Sequence, residues 1–373
     1  MASSETPNDD LAAALRDAYP ELDAVAAAAT EPVYVVGGAV RDLLLGRERG
    51  DLDLVVLGDA FALAARLGAD PVEHERFGTA KVVLDGHELD LAGARTESYA
   101  RPGALPEVAA ADSIEADLAR RDFTVNAIAV ALADEAPAID PLGGRADLEA
   151  GLLRVLHPAS FADDPTRAIR AARYAARFGF SLEAGTAGLV GAADLATVSA
   201  DRRRAELLRL AAEPTALRGL ELLAEWGLVD PRSGGIALAR AVEEQLGAPR
   251  WRGVALRERA LLAAALGPLG EERRLSEAVV ERPSEGVALA QGRDPVELLL
   301  ARAMGGLWVD RYLDVWSAVE LEIDGADLIA AGVPEGPALG RGLAAARRAR
   351  LDGEATDREQ ELAVALAAAR TAT

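Results

Sequence analysis

The sequence predicts an α+β protein: a compact head built on a mixed β-sheet, then a chain that is helical almost to its end. Three observations predict it. The β-strand signals, short apolar runs bounded by Gly-Gly, Gly-Asp or Asp-Gly, lie in residues 31–150. Two of those runs flank Asp85-Gly86, a strong two-residue hairpin signal. After Pro165 the apolar spacing is helical, with breaks at Gly179, Gly185, Pro214, Gly234-Gly235, Pro249, Gly267-Pro268, Pro283 and Pro295.

In chain order, residues 1–30 are acidic and then Ala-rich, which predicts a tail and one helix. The head, 31–150, opens on the run 33–36, which ends in Gly37-Gly38. A second run, 52–57, ends in Gly58-Asp59. The runs 81–84 and 87–91 enclose the hairpin turn, and 123–132 is a long apolar stretch with a helix-like start. Residues 152–156 form a possible last extended piece. The rest divides into a neck (151–212), a body (213–310) and a tail (311–373), all expected to be helical.

Composition narrows the function classes. Half of the 373 residues are hydrophobic and 4% are aromatic, so a sizeable core must be built from Ala, Leu and Val. The formal charge of −21 excludes a histone-like, wholly electrostatic nucleic-acid binder and leaves room only for a local arginine cluster. Lys81 is the sole lysine. The absence of cysteine excludes disulfides, Cys-ligated zinc, Fe–S clusters and thiol catalysis, and only His74, His87 and His157 could serve a histidine metal site. The N-terminus lacks a basic and then apolar leader pattern. No uncharged apolar run reaches the roughly 18–20 residues that cross a bilayer. A soluble cytoplasmic protein without a membrane partner is the expectation.

Five motifs carry chemistry. Gly37-Gly38 after a strand, followed by a helix bearing Arg41, lets backbone N–H groups and a helix N-terminus approach a phosphate; a G-x-G-x-x-G dinucleotide fingerprint is missing. Asp51 and Asp53 are two apart in a strand and share a face, and such a carboxylate pair beside a phosphate loop suits Mg²⁺. Asp90, inside the apolar strand after the hairpin, could complete a three-carboxylate centre. Arg120-Arg121-Asp122-Phe123-Thr124-Val125-Asn126 could bind ribose and triphosphate, or could be a capped helix start. Asp163-Asp164-Pro165 is an ordinary helix start. The arginines that follow, Arg167, Arg170, Arg173 and Arg177, fall within roughly a 120° arc at about 100° per residue. Such a stripe repels itself unless an anion lies beside it.

Together these motifs resemble the class II tRNA nucleotidyltransferases, the family of CCA-adding, CC-adding and A-adding enzymes and bacterial poly(A) polymerase. The resemblance also takes in Phe77-Gly78-Thr79-Ala80, Asp140-Pro141-x-Gly143-Gly144 with Asp147-Leu148, and Ser199-x-Asp201-Arg202 with Glu206-Leu207. Farther on, Gly325-Ala326-Asp327-Leu328, Gly332 and the segment 334–340, which contains Gly336 and Gly340, resemble the family's tail element that contacts the tRNA elbow. The middle of the chain, about 229–310, matches only as a generic helical body. The family often has Glu where Asp163 stands. A His-Asp phosphohydrolase domain, found in some bacterial members, is excluded because no histidine follows His157.

The resemblance implies a nucleotidyltransferase head that adds CCA, or its A or CC part, to the tRNA 3′ end from CTP and ATP with release of pyrophosphate. Poly(A) addition to other RNA ends and a non-catalytic RNA-binding relative are the alternatives. By the resemblance, Asp51 and Asp53 hold Mg²⁺ with Asp90 assisting. Gly37, Gly38 and Arg41 hold the triphosphate. Arg121, Asp122 and Asn126 lie at phosphate and sugar, with Arg170 and Arg173 along the nucleotide. Asp164 and Arg167 read the base, and Arg202, Arg203, Gly336 and Gly340 meet RNA. Whether the segment 99–111 is the mobile loop that governs the switch from C to A is left open by the sequence.

Overall fold

The computed structural model describes residues 11–68, 72–74, 78–133 and 137–370, with the backbone alone at 72–74. The tail before residue 11 and Phe77 lie outside the described residues. The chain forms two compact units, 1–229 and 230–373. The helix Ala216–Glu225, placed in the body by sequence, belongs to the first.

The first unit holds β1 (Val33–Val36), β2 (Leu52–Val56), β3 (Val72–His74), β4 (Thr79–Leu84), β5 (His87–Gly93), β6 (Arg95–Ser98), β7 (Glu107–Ala110), β8 (Ala129–Ala131), β9 (Leu152–Leu153) and β10 (Ser181–Leu182). Six of them form one sheet in the order β3-β4-β5-β2-β1-β8. β2 runs parallel to β5 and the other neighbours are antiparallel, so the sheet is mixed as expected. Val35, Val36, Leu54, Val55 and Val56 are each at most 1% exposed. Central strands covered on both faces read as continuous apolar runs, which is why β1 and β2 were legible. The turn Asp85-Gly86 has both residues at positive φ, 49° and 83°, the geometry of a type I′ hairpin.

Register decides where chemistry can sit. Asp53 on β2 lies opposite Val36, the last residue of β1, and abreast of Asp90 on β5. The Gly-Gly turn and the carboxylate pair therefore leave the sheet at the same end.

Four expectations need correction. Residues 1–30 carry two helices, Leu11–Ala18 and Glu21–Ala28, because Pro20 cannot continue the first and opens the second. The segment 123–132 is a 3₁₀ turn at Thr124–Asn126 followed by β8; pairing of Ala129 with Val36 overrides the helix-like pattern. β6 and β7 form a hairpin where no strand was expected, since the polar β6 and the short, Ala-containing, mostly exposed β7 give no apolar alternation. The neck is not wholly helical: β9 and β10 pair in parallel across it.

The neck helix Thr166–Phe178 buries Ala168, Ile169, Ala171, Ala172 and Ala175, and Gly179 ends it in the left-handed conformation at φ 73°. Small alanines on that face turn the opposite, arginine-bearing arc toward the head.

The second unit is helical throughout its described elements. Its end packs Ile323, Leu328, Val333, Ala346, Ala365 and Ala369 into a small core. Gly336 precedes the helix Pro337–Leu351, and Gly340 lies within it. Arg341, Arg347 and Arg348 are exposed on that helix. Among the described residues no helix is long and apolar enough to cross a membrane.

Candidate active site

A cleft of about 650 Å³ in the first unit is lined by Gly37, Gly38, Arg41, Asp51, Asp53, Arg121, Asp122, Asn126, Asp164, Arg167, Arg170, Arg173 and Arg202. Residues from five separate stretches of sequence thus meet at one sheet end. Arg203 is not among the lining residues; its guanidinium donates to the Leu195 carbonyl. Gly336 and Gly340 belong to the second unit.

Gly37 must be glycine. Its φ is +67°, and a Cβ there would stand 3.1 Å from Arg121 Nη1 and 3.5 Å from Asp53 Oδ2. Asp53 sits directly beside the turn. Burial raises its carboxyl above the ordinary aspartate value; Arg121 opposes this, while Asp90 and Asp51 add to it. Among the described residues neither the Asp51 nor the Asp53 side chain makes a hydrogen bond or ion pair. A half-buried acid crowded by like charge and lacking a side-chain partner is suited to a cation. Two hard oxygen donors beside an open, arginine-lined cleft fit Mg²⁺, which commonly binds through one or two carboxylates plus substrate phosphates. Asp90 is drawn elsewhere. It is 3.1 Å from Lys81 Nζ and lines a neighbouring cavity of about 290 Å³ that it shares with Asp53. No group of three or more potential ligands is assembled among the described residues.

A chain of side chains joins the head to the neck. Arg41 donates to Asn126 Oδ1 at 2.6 Å, Asn126 Nδ2 donates to Asp122 at 2.9 Å, and Arg170 Nε donates to Asp122 at 2.8 Å. Burial would raise the Asp122 carboxyl, but Arg170, Asn126 and Arg167 outweigh it and hold it at about 2. Arg41 is 5% exposed, paired with Asp42 at 2.8 Å and laid 4.7 Å from the Phe178 ring centroid. It offers the cleft a fixed positive charge rather than a mobile arm.

The arginine stripe corrects the repulsion argument. Arg170 pairs with Asp122, Arg173 with Glu213 at 3.3 Å, and Arg177 with Glu213 at 3.5 Å and Asp42 at 3.8 Å. Protein carboxylates relieve part of the repulsion, but Glu213 is shared by two arginines and, among the described residues, Arg167 bonds only the neutral oxygens of Ser160, Tyr99 and Arg120, so the face keeps excess positive charge. Arg173 also lies 4.6 Å from the Tyr174 ring centroid.

Asp164 divides its two oxygens. Oδ1 accepts from Thr166 N at 3.1 Å, Thr166 Oγ1 at 2.7 Å and Arg202 Nη2 at 3.1 Å, and Oδ2 carries none of these contacts. One oxygen starts the helix and the other is free for the cleft. Arg167 is tied to Ser160 Oγ at 2.7 Å and to the Arg120 carbonyl at 2.8 Å. Arg202 donates to Asp164 and to the Gly103 carbonyl at 3.0 Å, fastening the hairpin tip to the neck.

The structure explains one motif that sequence left without a role. Asp140 accepts from the backbone of Gly144 and Arg145, and a Cβ on Gly144 would lie 2.2 Å from the Thr124 carbonyl. Asp147 accepts from Thr124 Oγ1 at 2.6 Å. The Asp140–Asp147 segment braces the turn carrying Arg121 and Asn126. Sequence reasoning missed Glu97 and Tyr99, which line the cleft from the hairpin; burial pushes the Tyr99 phenol up to about 12. Tyr174, also missed, stands one turn after Arg170, the signal that could have found it.

A mixed sheet with a carboxylate pair at a Gly-Gly exit, facing an arginine-bearing helix, defines the nucleotidyltransferase class. The poly A polymerase head domain matches residues 33–154. The A-adding tRNA nucleotidyltransferase of Halalkalibacterium halodurans is 42% identical over 249 residues, 61% of this chain and 58% of that protein, so the chain spans less than two thirds of that relative. The CC-adding tRNA nucleotidyltransferase of Deinococcus radiodurans is 35% identical over 345 residues, 88% of this chain and 87% of that protein. A solved CCA-adding enzyme in complex with CTP superposes with a TM-score of 0.80 at 27% identity, covering 97% of this chain and 99% of that one. The chain belongs to the tRNA nucleotidyltransferase and poly(A) polymerase family.

Proposed function

We propose that this protein adds nucleotides to the 3′ end of tRNA from CTP and ATP, releasing pyrophosphate, in the cytoplasm. The observation that carries the reading is the single cleft in which Asp51 and Asp53 face the Gly37-Gly38 turn on one side and Asp164 and Arg167 on the other. The relatives that add A, CC or CCA support the tRNA 3′ end as acceptor.

Asp51 and Asp53 hold Mg²⁺, which when bound stabilises the charge of the attacking hydroxyl and the leaving pyrophosphate. The N–H groups of the Gly-Gly turn and the helix beginning at Gly38 face the phosphates, with Arg41 and Arg121 supplying positive charge. Asp164 Oδ2 accepts from the exocyclic amine of cytosine or adenine, and Arg167 donates to the adjacent ring nitrogen. Guanine and uracil present the reverse order and leave a buried charge unpaired, which costs about 1–3 kcal/mol. The same pair therefore accepts CTP and ATP. The tail helix Pro337–Leu351, with its exposed arginines, is the reading for a second tRNA contact.

Incubating the protein with tRNA ending before CCA, before the second C or before A, and with each nucleotide, tests the function. Incorporation of CTP or ATP on at least one is expected; incorporation on none overturns the reading. With a net charge of −21, only local patches meet phosphate. Affinity for tRNA should then fall with salt at a log–log slope between about −2 and −5. Filter binding across ionic strength checks this, and salt-independent affinity would contradict it.

A further inference from the structure

The five residues before β2 form an exposed connection without helix or strand, and they end on Asp51. Arg47 N donates to the Asp42 carbonyl at 2.9 Å, but the partners that hold the connection through side-chain contacts come from outside the head's family match, which covers residues 33–154. Tyr19, between the two N-terminal helices, is 1% exposed. Its hydroxyl accepts from Gly50 N at 3.1 Å and donates to Gly50 O at 3.4 Å, so one group grips both backbone polar atoms of the residue before Asp51. The preceding Arg49 lies 4.8 Å from the Tyr19 ring centroid and pairs with Glu21, whose side chain is 2% exposed. On the other flank, Arg47 donates to the Arg177 carbonyl at 3.2 Å and lies 4.7 Å from the Phe178 centroid.

A buried tyrosine and a buried glutamate thus fix two consecutive residues of an otherwise irregular strand entry. The geometry points to Tyr19 as a positioning residue for the carboxylate pair, with Glu21 fastening the same connection through Arg49. This rests on the reading of Asp51 and Asp53 as the metal pair. A carboxylate at the end of an unrestrained connection samples many orientations. A cation bound through two carboxylates needs both in place, and groups that orient metal ligands typically govern affinity by about 10–100-fold.

The test titrates the full chain with Mn²⁺ and follows free Mn²⁺ by electron paramagnetic resonance, without nucleotide or RNA. Tyr19→Phe keeps the ring and its arginine contact and removes only the hydroxyl. It is expected to weaken Mn²⁺ binding about tenfold. The Mg²⁺ concentration for half-maximal addition should rise by the same factor, with the KM for CTP at saturating Mg²⁺ unchanged. Val25→Ala, on the second N-terminal helix and away from Gly50, is the stability control: its melting temperature falls and its Mn²⁺ affinity stays at the wild-type value. Glu21→Gln, should Tyr19→Phe fail to fold, is expected to shift Mn²⁺ affinity in the same direction. Wild-type Mn²⁺ affinity in the Tyr19 variant, or an equal loss in Val25→Ala, overturns the assignment. Mn²⁺ binding that behaves as expected in a protein that adds no nucleotide overturns the proposed function and leaves this positioning role standing. Mn²⁺ binding untouched by Asp53→Ala overturns both.

Discussion

Asp53→Ala is expected to lower nucleotide addition by about 10³-fold or more, a loss of about 4 kcal/mol of transition-state stabilisation, while leaving the protein as stable as before or more so. The two effects have one cause. Asp53 lies beside the Gly37 turn, where burial and the neighbouring Asp90 and Asp51 raise its carboxyl. Its folded value exceeds its unfolded one, so the folded state binds the extra proton, and stability falls as pH rises through that interval. At neutral pH the ionised form therefore destabilises the metal-free fold. Removing it relieves that repulsion and, on the proposed reading, also deletes one of the two carboxylates that would hold Mg²⁺. Single-turnover addition in Mg²⁺, alongside thermal melting in chelator, measures both. Near-wild-type turnover would refute the metal assignment, and a large fall in melting temperature would refute the repulsion.

Asp122→Ala is expected to cost stability as well as activity. Asp122 is 8% exposed and accepts from Phe123 N, Asn126 and Arg170. Without it the Arg170 guanidinium loses its closest ion-pair partner and, among the described residues, keeps only Glu206 at 4.0 Å; breaking a pair is worth about 3–5 kcal/mol where the charge is fully buried. Arg170 keeps 30% of its side chain exposed toward the cleft, so about 3 kcal/mol is expected. The link from Arg41 through Asn126 to the neck is cut at the same time, so addition falls too. The pH dependence follows with the opposite sign from Asp53. Asp122 is held at about 2, below its unfolded value. It contributes about 2 kcal/mol that is complete above the unfolded value near 4 and is lost as pH falls toward 2. Urea denaturation at pH 7 and pH 3 should show a smaller loss on acidification in the variant than in the wild type. Equal stability of the two proteins at pH 7 would contradict the bridging role.

Much of the fold and the site was legible because local chemistry and global packing agree there. β1 and β2 are buried on both faces and need continuous apolar residues; the turn at Asp85-Gly86 needs positive φ at both positions; Gly37 needs its missing Cβ. These requirements write themselves into residue type. The β6–β7 hairpin does not, because its strands are short, bury no residue fully and show no apolar alternation, and its place is set by contacts such as Arg202 to Gly103. β8 was read with a helix-like start because only pairing with β1 makes it a strand. The arginine stripe was visible, but its neutralising partners, Asp122, Glu213 and Asp42, lie up to 135 residues from the arginines they meet, and no spacing rule reaches them. Tyr19 was hidden for the same reason: nothing in its own stretch points to Gly50.

Base choice by Asp164 and Arg167 is tested most directly by kcat/KM for CTP, ATP, UTP and GTP under single-turnover conditions, in wild type and in Asp164→Asn. The cap fixes how the new amide must sit. Thr166 N and Arg202 both donate to Oδ1, so the amide oxygen takes that position and Nδ2 replaces Oδ2 toward the cleft. The helix start survives, since Asn is as good a cap as Asp, while the cleft now presents a donor where it presented an acceptor. The wild type is predicted to use CTP and ATP and to reject UTP and GTP by at least about fivefold, as about 1–3 kcal/mol of unpaired charge requires. The variant is predicted to lose CTP and ATP efficiency and to gain measurable UTP or GTP incorporation. Four unchanged ratios would show that Asp164 only starts the helix, and would contradict the reading of the base by this pair.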